Sequence, residues 1–439
     1  MSNTVHDRFA RLAALRPARK GLVSPDEPSR GIAPDMPYGA ERLEALLGAA
    51  TARNRFGEHL ALRRWFPEAV GGEAAGGDFE PAGLRLFAPG APIEAEDSRQ
   101  WLFLDTETTG LAGGTGTYPF LVGIAWWDAG GLEVEQFFMR EQSEEHSLLV
   151  ALAERMAERR VLVTFNGKSF DWPLLETRYR MTRTIQPPAP RAHLDFLHPA
   201  RNLWRLRLGS VRLAELERHV LGWNRGADVM SELIPQIYFN YLRGGPPEPL
   251  VPVFHHNQMD LRGLVGLATR ILSLLANPES QGRDALELYG VSRICERRGE
   301  AVRAKKLYQR SIAADLPPET GRAARRSLAR LAKRDGDFDL ARALWEGLAG
   351  NSREGFEAYE QLAIYFEHRA GVPHRAAELS RKALAELRKA NRLGTIAPVA
   401  YRRQREQFER RLARLERKAG RDLLLALDAE SKSSPNESN

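Results

Sequence analysis

In the string FLDTETTG, Asp105 and Glu107 stand two residues apart, directly after the apolar run Trp101-Leu102-Phe103-Leu104. A strand alternates its side chains, so the two carboxylates share one face and Thr106 takes the other. Two carboxylates about 4 Å apart repel by roughly 4 kcal/mol at an effective dielectric near 20, a cost that a strand end has no structural reason to bear. FNGKSFDWPLL sets a third acid, Asp171, just past a short apolar stretch, where a helix begins and Pro173 fits its first turn. FHHNQMDLRGL sets a fourth, Asp260, on a helix, with His256 four residues before it and His255 five before it. Alone, Asp171 reads as a helix cap and Asp260 as a solvated helix residue. Together with the Asp-x-Glu pair they read as one site. Clustered carboxylates need cations, and an all-oxygen donor set suits Mg²⁺ or Mn²⁺ rather than zinc. Two such ions about 3.5–4 Å apart activate a water and stabilise the leaving oxygen of a phosphodiester.

Either histidine could serve as general base, because a neutral imidazole takes a proton from an attacking water near pH 7. Helical geometry puts residues four apart on one face, which favours His256; His255 then caps or packs.

These residues need a scaffold. GLRLFAP, WLFLDTE, PFLVGIAWW and LEVEQFFMR read as strands, the last two joined through a turn at Asp128-Ala129-Gly130-Gly131. A helix is expected from Ser143 to about Arg159, short strands at VLVTFN and AHLDFL, and helices at 211–221, closed by Gly222, and at about 254–275. Residues 40–66 have helical spacing, with Leu43, Leu46 and Leu47 on one side, and residues 1–38 look loosely ordered. The pattern is that of a mixed α/β domain. Asp195, in HLDFL, is expected near the site without being a ligand, and Tyr118 and Phe120 are expected to pack in the core. NGKS lacks the first glycine of a P-loop, since position 162 is Leu, which argues against ATP binding there.

Asp105-x-Glu107, Asn166-x3-Phe170-Asp171 and His256-x3-Asp260 resemble the three exonuclease motifs of the DEDD superfamily, whose fold is ribonuclease H-like. The fuller strings FLDTETTGLAGGTGTYPFLVG, FNGKSFDWPLLETRYRM and HHNQMDL resemble the YprB-type ribonuclease H-like exonucleases of bacteria, over about residues 98–275. The resemblance implies a 3'–5' exonuclease using two divalent ions, held by Asp105, Glu107, Asp171 and Asp260, with Asn166 positioning substrate. It also implies an N-terminal extension over residues 40–90. Members of the superfamily differ in carrying Tyr four residues or His five residues before the last Asp. Here His256 has the first spacing and His255 the second.

Beyond residue 280 the chain repeats. Gly299, Gly336 and Gly371 are each followed five residues later by Ala304, Ala341 or Ala376, and preceded at five by Ile294, Leu331 or Phe366. Small and apolar positions on two helices around a Gly turn resemble tetratricopeptide repeats, here over residues 283–390. Such arrays hold protein segments in a concave groove, so a protein partner is expected there. A basic helical segment at 391–424 and a disordered tail at 430–439 complete the expected order. Residues 281–439 carry 33 Lys and Arg against 23 Asp and Glu, whereas residues 1–280 carry 31 against 34. The basic half suggests a polyanion, and 381–421, with fourteen Lys and Arg against four Glu, is its densest stretch.

The fold expected is therefore an α/β ribonuclease H-like domain plus all-α tetratricopeptide-like repeats. The function expected is metal-dependent cleavage of single-stranded RNA or DNA. The alternative is an interaction scaffold built on the repeats, with a catalytically silent nuclease fold. One cysteine, Cys295, excludes an internal disulfide and a Cys-based metal cluster. With no apolar run near 18 residues and no apolar N-terminal stretch, the chain is expected to be cytoplasmic.

Overall fold

Strands buried on both faces make the centre of a seven-stranded sheet: every residue of the apolar β4 (Pro119–Asp128) but the last is buried, as is all of β5 (Gly131–Phe138), whose Glu133 and Glu135 pair with Arg63 and Arg155. The computed structural model describes residues 39–67, 79–110, 116–128, 130–282, 284–350 and 355–433. The remaining strands are β1 (Ala50–Asn54), β2 (Gly57–Phe66), β3 (Trp101–Thr108), β6 (Val161–Thr164) and β7 (Ala192–Asp195), in the spatial order β1-β2-β5-β4-β3-β6-β7. Pairing is antiparallel from β1 to β3 and parallel from β3 through β6 to β7.

β3 divides the core by alternation. Trp101 and Phe103 pack with Leu261, Leu264 and Leu267 of the long helix Val251–Ala276, while Leu102 and Leu104 pack with Leu148 and Leu152 of the helix Glu145–Glu158 and Leu175 of the helix Asp171–Thr182. Phe120 is fully buried and stacks on Tyr238 at 4.0 Å. Tyr118 lies under the Arg178 guanidinium.

Three local expectations give way to tertiary pairing. The helix over 40–66 stops at Leu47, and 50–66 forms the hairpin β1/β2, because β2 pairs along β5 and buries Leu60 and Leu62. The first five residues of GLRLFAP lie in a helix, Pro81–Phe87, which buries Leu84 and Leu86; Pro81 stands at a first-turn position where its missing N–H costs nothing. The expected helix 211–221 is one turn, Leu213–Leu216, followed by a π-helical turn, Glu217–Leu221. Residues 1–38, 434–439 and 111–115 of the loop GLAGGTGTYPF lie outside the described residues.

The C-terminal region is all helical. Three hairpins pair Ala285–Arg297 with Ala301–Ala313, Pro318–Arg334 with Phe338–Leu348, and Gly355–His368 with Pro373–Arg392. Their turns carry Gly299, Gly336 and Gly371 at φ of 80°, 82° and 67°, a left-handed conformation that glycine adopts without penalty. The helix Pro398–Ser433 closes the stack with Phe408 and Leu415 buried. The first hairpin packs on the helix Leu197–Leu208, where Trp204 donates to the buried Glu287 at 2.8 Å. One apolar core therefore runs from the sheet into the first helices of the C-terminal region.

Candidate active site

The alternation of β3 continues past its apolar half. Asp105 and Glu107 follow Trp101 and Phe103 toward the helix Val251–Ala276, and Thr106 follows Leu102 and Leu104 toward the helix Asp171–Thr182. A register shift between Glu107 and Thr108 interrupts the pairing with β4 at this point, and it resumes at Thr108 and Pro119. Across the gap, His256 and Asp260 project from one face of their helix. His256 Nε2 lies 3.3 Å from Asp260 Oδ2 and 4.0 Å from Glu107 Oε1. Glu107, His256 and Asp260 each offer an atom within 4.8 Å of the other two. Asp171 opens its helix, and its Oδ1 accepts a hydrogen bond from Thr106 Oγ1 at 2.5 Å. The middle residue of the Asp-Thr-Glu triplet thus holds the third acid.

Crowding raises proton affinity. The Asp105 carboxyl lies well above its usual range, through burial first and then the charges of Asp260 and Asp171. Glu107 is raised as well, by burial and then by Asp105, Asp260 and Asp171. Burial lifts Asp171 to about 6, against the hydrogen bond from Thr106. A half-buried cluster of oxygen donors, with one imidazole at its edge, fits hard divalent cations.

Each acid has an organising partner. Asp105 is level with Gly123 of β4, which is level with Gln136 of β5. Asn257 lies over that glycine, donating to Asp105 Oδ2 at 2.8 Å and accepting from Gln136 Nε2 at 2.8 Å. A Cβ on residue 123 would stand 2.0 Å from Asn257 Oδ1, so the bridge needs glycine. Arg225, in the loop after Gly222, bonds Asp260 Oδ1 at 2.5 Å, forks onto the buried Glu217, and lies 3.3 Å from Asp228. Burial lifts Glu217 to about 7 against that fork. Asp228 accepts from His256 Nδ1 at 2.8 Å, which leaves Nε2 facing Glu107 and Asp260. Burial raises the Asp228 carboxyl, but the hydrogen bond and charge of His256, with the charge of Arg225, hold it below its usual range.

Asp195 plays a supporting part. Its two oxygens accept the backbone N–H groups of Asn166, Lys168 and Leu197 at 2.9–3.0 Å, fixing the loop that leads to Asp171. Asn166 sits in that loop at φ 71°, a left-handed conformation that Asn tolerates better than most residues. The structure thus gathers Asp105, Glu107, Asp171, Asp260 and His256. His255 goes elsewhere: it is exposed and lines a separate groove of about 380 Å³ with Leu46, Leu62 and Phe66.

Sequence reasoning missed Asn257, Arg225, Asp228 and Glu217. Asn257 had one available signal, a polar residue beside His256 on an otherwise apolar helix. Arg225 and Asp228 come from an aperiodic segment and Glu217 from the helical turn before it, and only folding brings them under Asp260.

A model of the RNase_H superfamily (RNase_H_2) matches residues 102–272, from within β3 to beyond Asp260. The uncharacterized protein YprB of Bacillus subtilis (strain 168) is 31% identical over 319 residues, 72% of this chain and 74% of that protein. A family B DNA polymerase from the hyperthermophilic archaeon Pyrobaculum calidifontis aligns in three dimensions with a TM-score of 0.33 at 15% identity, covering 54% of this chain and 29% of that one. The extent of the YprB match, with the superfamily match lying over the sheet and its acids, makes this chain a member of the YprB family of RNase H-like proteins.

Proposed function

We propose that the chain hydrolyses nucleic-acid phosphodiester bonds as a divalent-cation-dependent 3'–5' exonuclease on single-stranded RNA or DNA. The observation that carries the reading is the convergence of four carboxylates from β3 and two helices, with His256 Nε2 3.3 Å from Asp260 and 4.0 Å from Glu107. In this reading Asp105, Glu107, Asp171 and Asp260 hold two Mg²⁺ or Mn²⁺ ions. Such ions, when bound, supply the positive charge that activates water and steadies a leaving oxygen. The chain's own groups do the rest. Asp228 fixes the His256 tautomer with its proton on Nδ1, so that Nε2, which otherwise meets only the Ser231 hydroxyl at 3.4 Å as a hydrogen-bond partner, takes a proton from the attacking water. Asn257 and Thr106 orient Asp105 and Asp171, and Arg225 orients Asp260. Asn166, on the loop braced by Asp195 that leads to Asp171, positions substrate in this reading. Residues 98–275 are the catalytic unit in this account, and 283–390 are tetratricopeptide-like repeats that recruit a partner. The protein acts in the cytoplasm.

The test uses 5'-labelled single strands of RNA and DNA with free or blocked 3' ends, in Mg²⁺ or Mn²⁺. A ladder shortening from the free 3' end, absent when that end is blocked, is the expected result. Cutting that ignores the block would replace the exonuclease with an endonuclease on the same site.

A further inference from the structure

The densest basic stretch by sequence, 381–421, is paired in part. Of its fourteen Lys and Arg, Arg381, Lys382, Arg405, Arg410, Arg411 and Arg414 pair with glutamates. A second set of cations lines a groove. An open groove of about 800 Å³ runs between the first helices of the first two hairpins, Ala285–Arg297 and Pro318–Arg334, against Leu206 of the catalytic domain. Its lining includes Arg293, Arg297, Arg326, Arg330 and Arg334, and its carboxylates are Glu296 and Glu319. Among the described residues Arg293, Arg297, Arg330 and Arg334 have no carboxylate partner within 4.0 Å, whereas Glu296 accepts from Tyr308 and Glu319 lies 3.5 Å from Arg322. Arg297 has its proton affinity lowered by burial and then by the charges of Arg293 and Arg298, against a weaker pull from Glu296. Tyr289 lies in the floor with Arg293 over its ring at 5.8 Å.

We propose that this groove binds the phosphate backbone of a single-stranded nucleic acid, as an anchoring site for the strand whose end enters the active site. The ligand rests on the nuclease reading; the groove's charge does not. Arg326, Arg330 and Arg334 recur every four residues, one step of about 6 Å along the helix, a ladder suited to successive phosphates of an extended strand. The lining cations are all arginine, whose planar fork grips phosphate in pairs of hydrogen bonds and stacks on bases. The helix Leu197–Leu208 starts beside Asp195, next to the site, and carries Leu206 at the groove. Nine residues separate its first turn from Leu206, so the groove lies on the order of 14 Å along that helix from the site. A strand must therefore exceed a few nucleotides to reach both.

Binding in EDTA isolates the groove from chemistry. Fluorescence anisotropy of labelled single-stranded 5-mers and 20-mers would compare the full chain with Arg293→Gln/Arg330→Gln/Arg334→Gln and with a control triple on the last helix, Arg402→Gln/Arg417→Gln/Lys418→Gln. The groove triple should weaken the 20-mer at least tenfold and lower its salt slope by about 2, at roughly 0.7 per lost phosphate contact. The 5-mer and the control triple should change little. Equal affinity and slope in the groove triple would overturn the proposal. So would a wild-type chain that ignores both nucleic acids and takes an acidic peptide at these arginines. A strand bound through the groove in EDTA but never cut in Mg²⁺ or Mn²⁺ would sink the hydrolase and leave the groove standing.

Discussion

Asn257 joins the helix Val251–Ala276 to the catalytic strand by a 2.8 Å hydrogen bond from its Nδ2 to Asp105 Oδ2, with a longer one of 3.4 Å to the Asp105 carbonyl. Gln136 holds the other end of the same amide at 2.8 Å, and Gln258 donates to Gln136 at 2.7 Å, so the amide chain is buried and closed. Partners of this kind typically account for 10- to 100-fold in metal affinity or activity. Asn257→Ala should cost that much in kcat. Gly123→Ala should reach the same range without touching the acid, because its methyl group displaces the amide. Calorimetric Mn²⁺ titration and turnover, with a thermal melt as control, check both.

The two histidines should separate sharply. His256→Ala should lower the rate by about 10² to 10⁴, the usual range for general acid–base catalysis. His255→Ala should stay near wild type, since its ring is exposed in a different groove. Asp228→Asn should fall between them, in kcat rather than KM, because it holds the base and not the substrate. Single-turnover rates at saturating single strand decide the order.

Arg225 is a stability test. Its side chain is 6% exposed and that of Glu217 is fully buried. Removing one partner of a buried pair costs about 3–5 kcal/mol, since the other charge is stranded. Arg225→Met should lower stability by that amount in urea unfolding. The double variant Arg225→Met/Glu217→Leu should recover much of the loss.

Acid sensitivity should run partly through His59. Burial pushes its imidazole down to about 4; Nδ1 is 2.8 Å from Ser147 Oγ, and Nε2 is buried without a partner. The folded state keeps the ring neutral to about pH 4, whereas the unfolded chain protonates it near 6.5. Between those values the unfolded state binds more protons, so stability falls as pH drops from about 6.5 toward 4. The loss is at most about 3 kcal/mol. His59→Gln should be less stable than wild type at pH 7 and have a flatter profile below 6.5. Parallel profiles would place the titration elsewhere.

The site was more legible than the elements around it. Asp105-x-Glu107 announces itself because a paired acid on a buried strand is a local anomaly, and His256 follows from helical spacing to Asp260. The sheet's inner strands were legible for the same reason: WLFL and PFLVGIAWW can only be buried. The outer elements were not. HLALRRWF is a strand because β5 offers it an edge, a fact no local period carries. GLRLFAP has strand-like apolar spacing, but its two leucines find the long helix rather than the sheet. The basic stretch at 381–421 shows the same limit in charge. Sequence counts its cations, while folding supplies six of them with glutamates and, among the described residues, leaves Arg293, Arg297, Arg330 and Arg334 of the first two hairpins without a carboxylate. Deleting 381–439 would also strip Phe408 and Leu415 from the core, so substitutions are the cleaner probe.

The central claim is that four acids make one cation-dependent hydrolytic site. Its most direct measurement is the degradation of end-labelled single-stranded RNA and DNA by the wild type in Mg²⁺, Mn²⁺ and EDTA, beside Asp105→Asn, Glu107→Gln, Asp171→Asn and Asp260→Asn. The account predicts hydrolysis with either cation, none in EDTA, and a loss of at least about 10² in each folded variant. Near-full activity in any two of the four, or undiminished activity in EDTA, would contradict it.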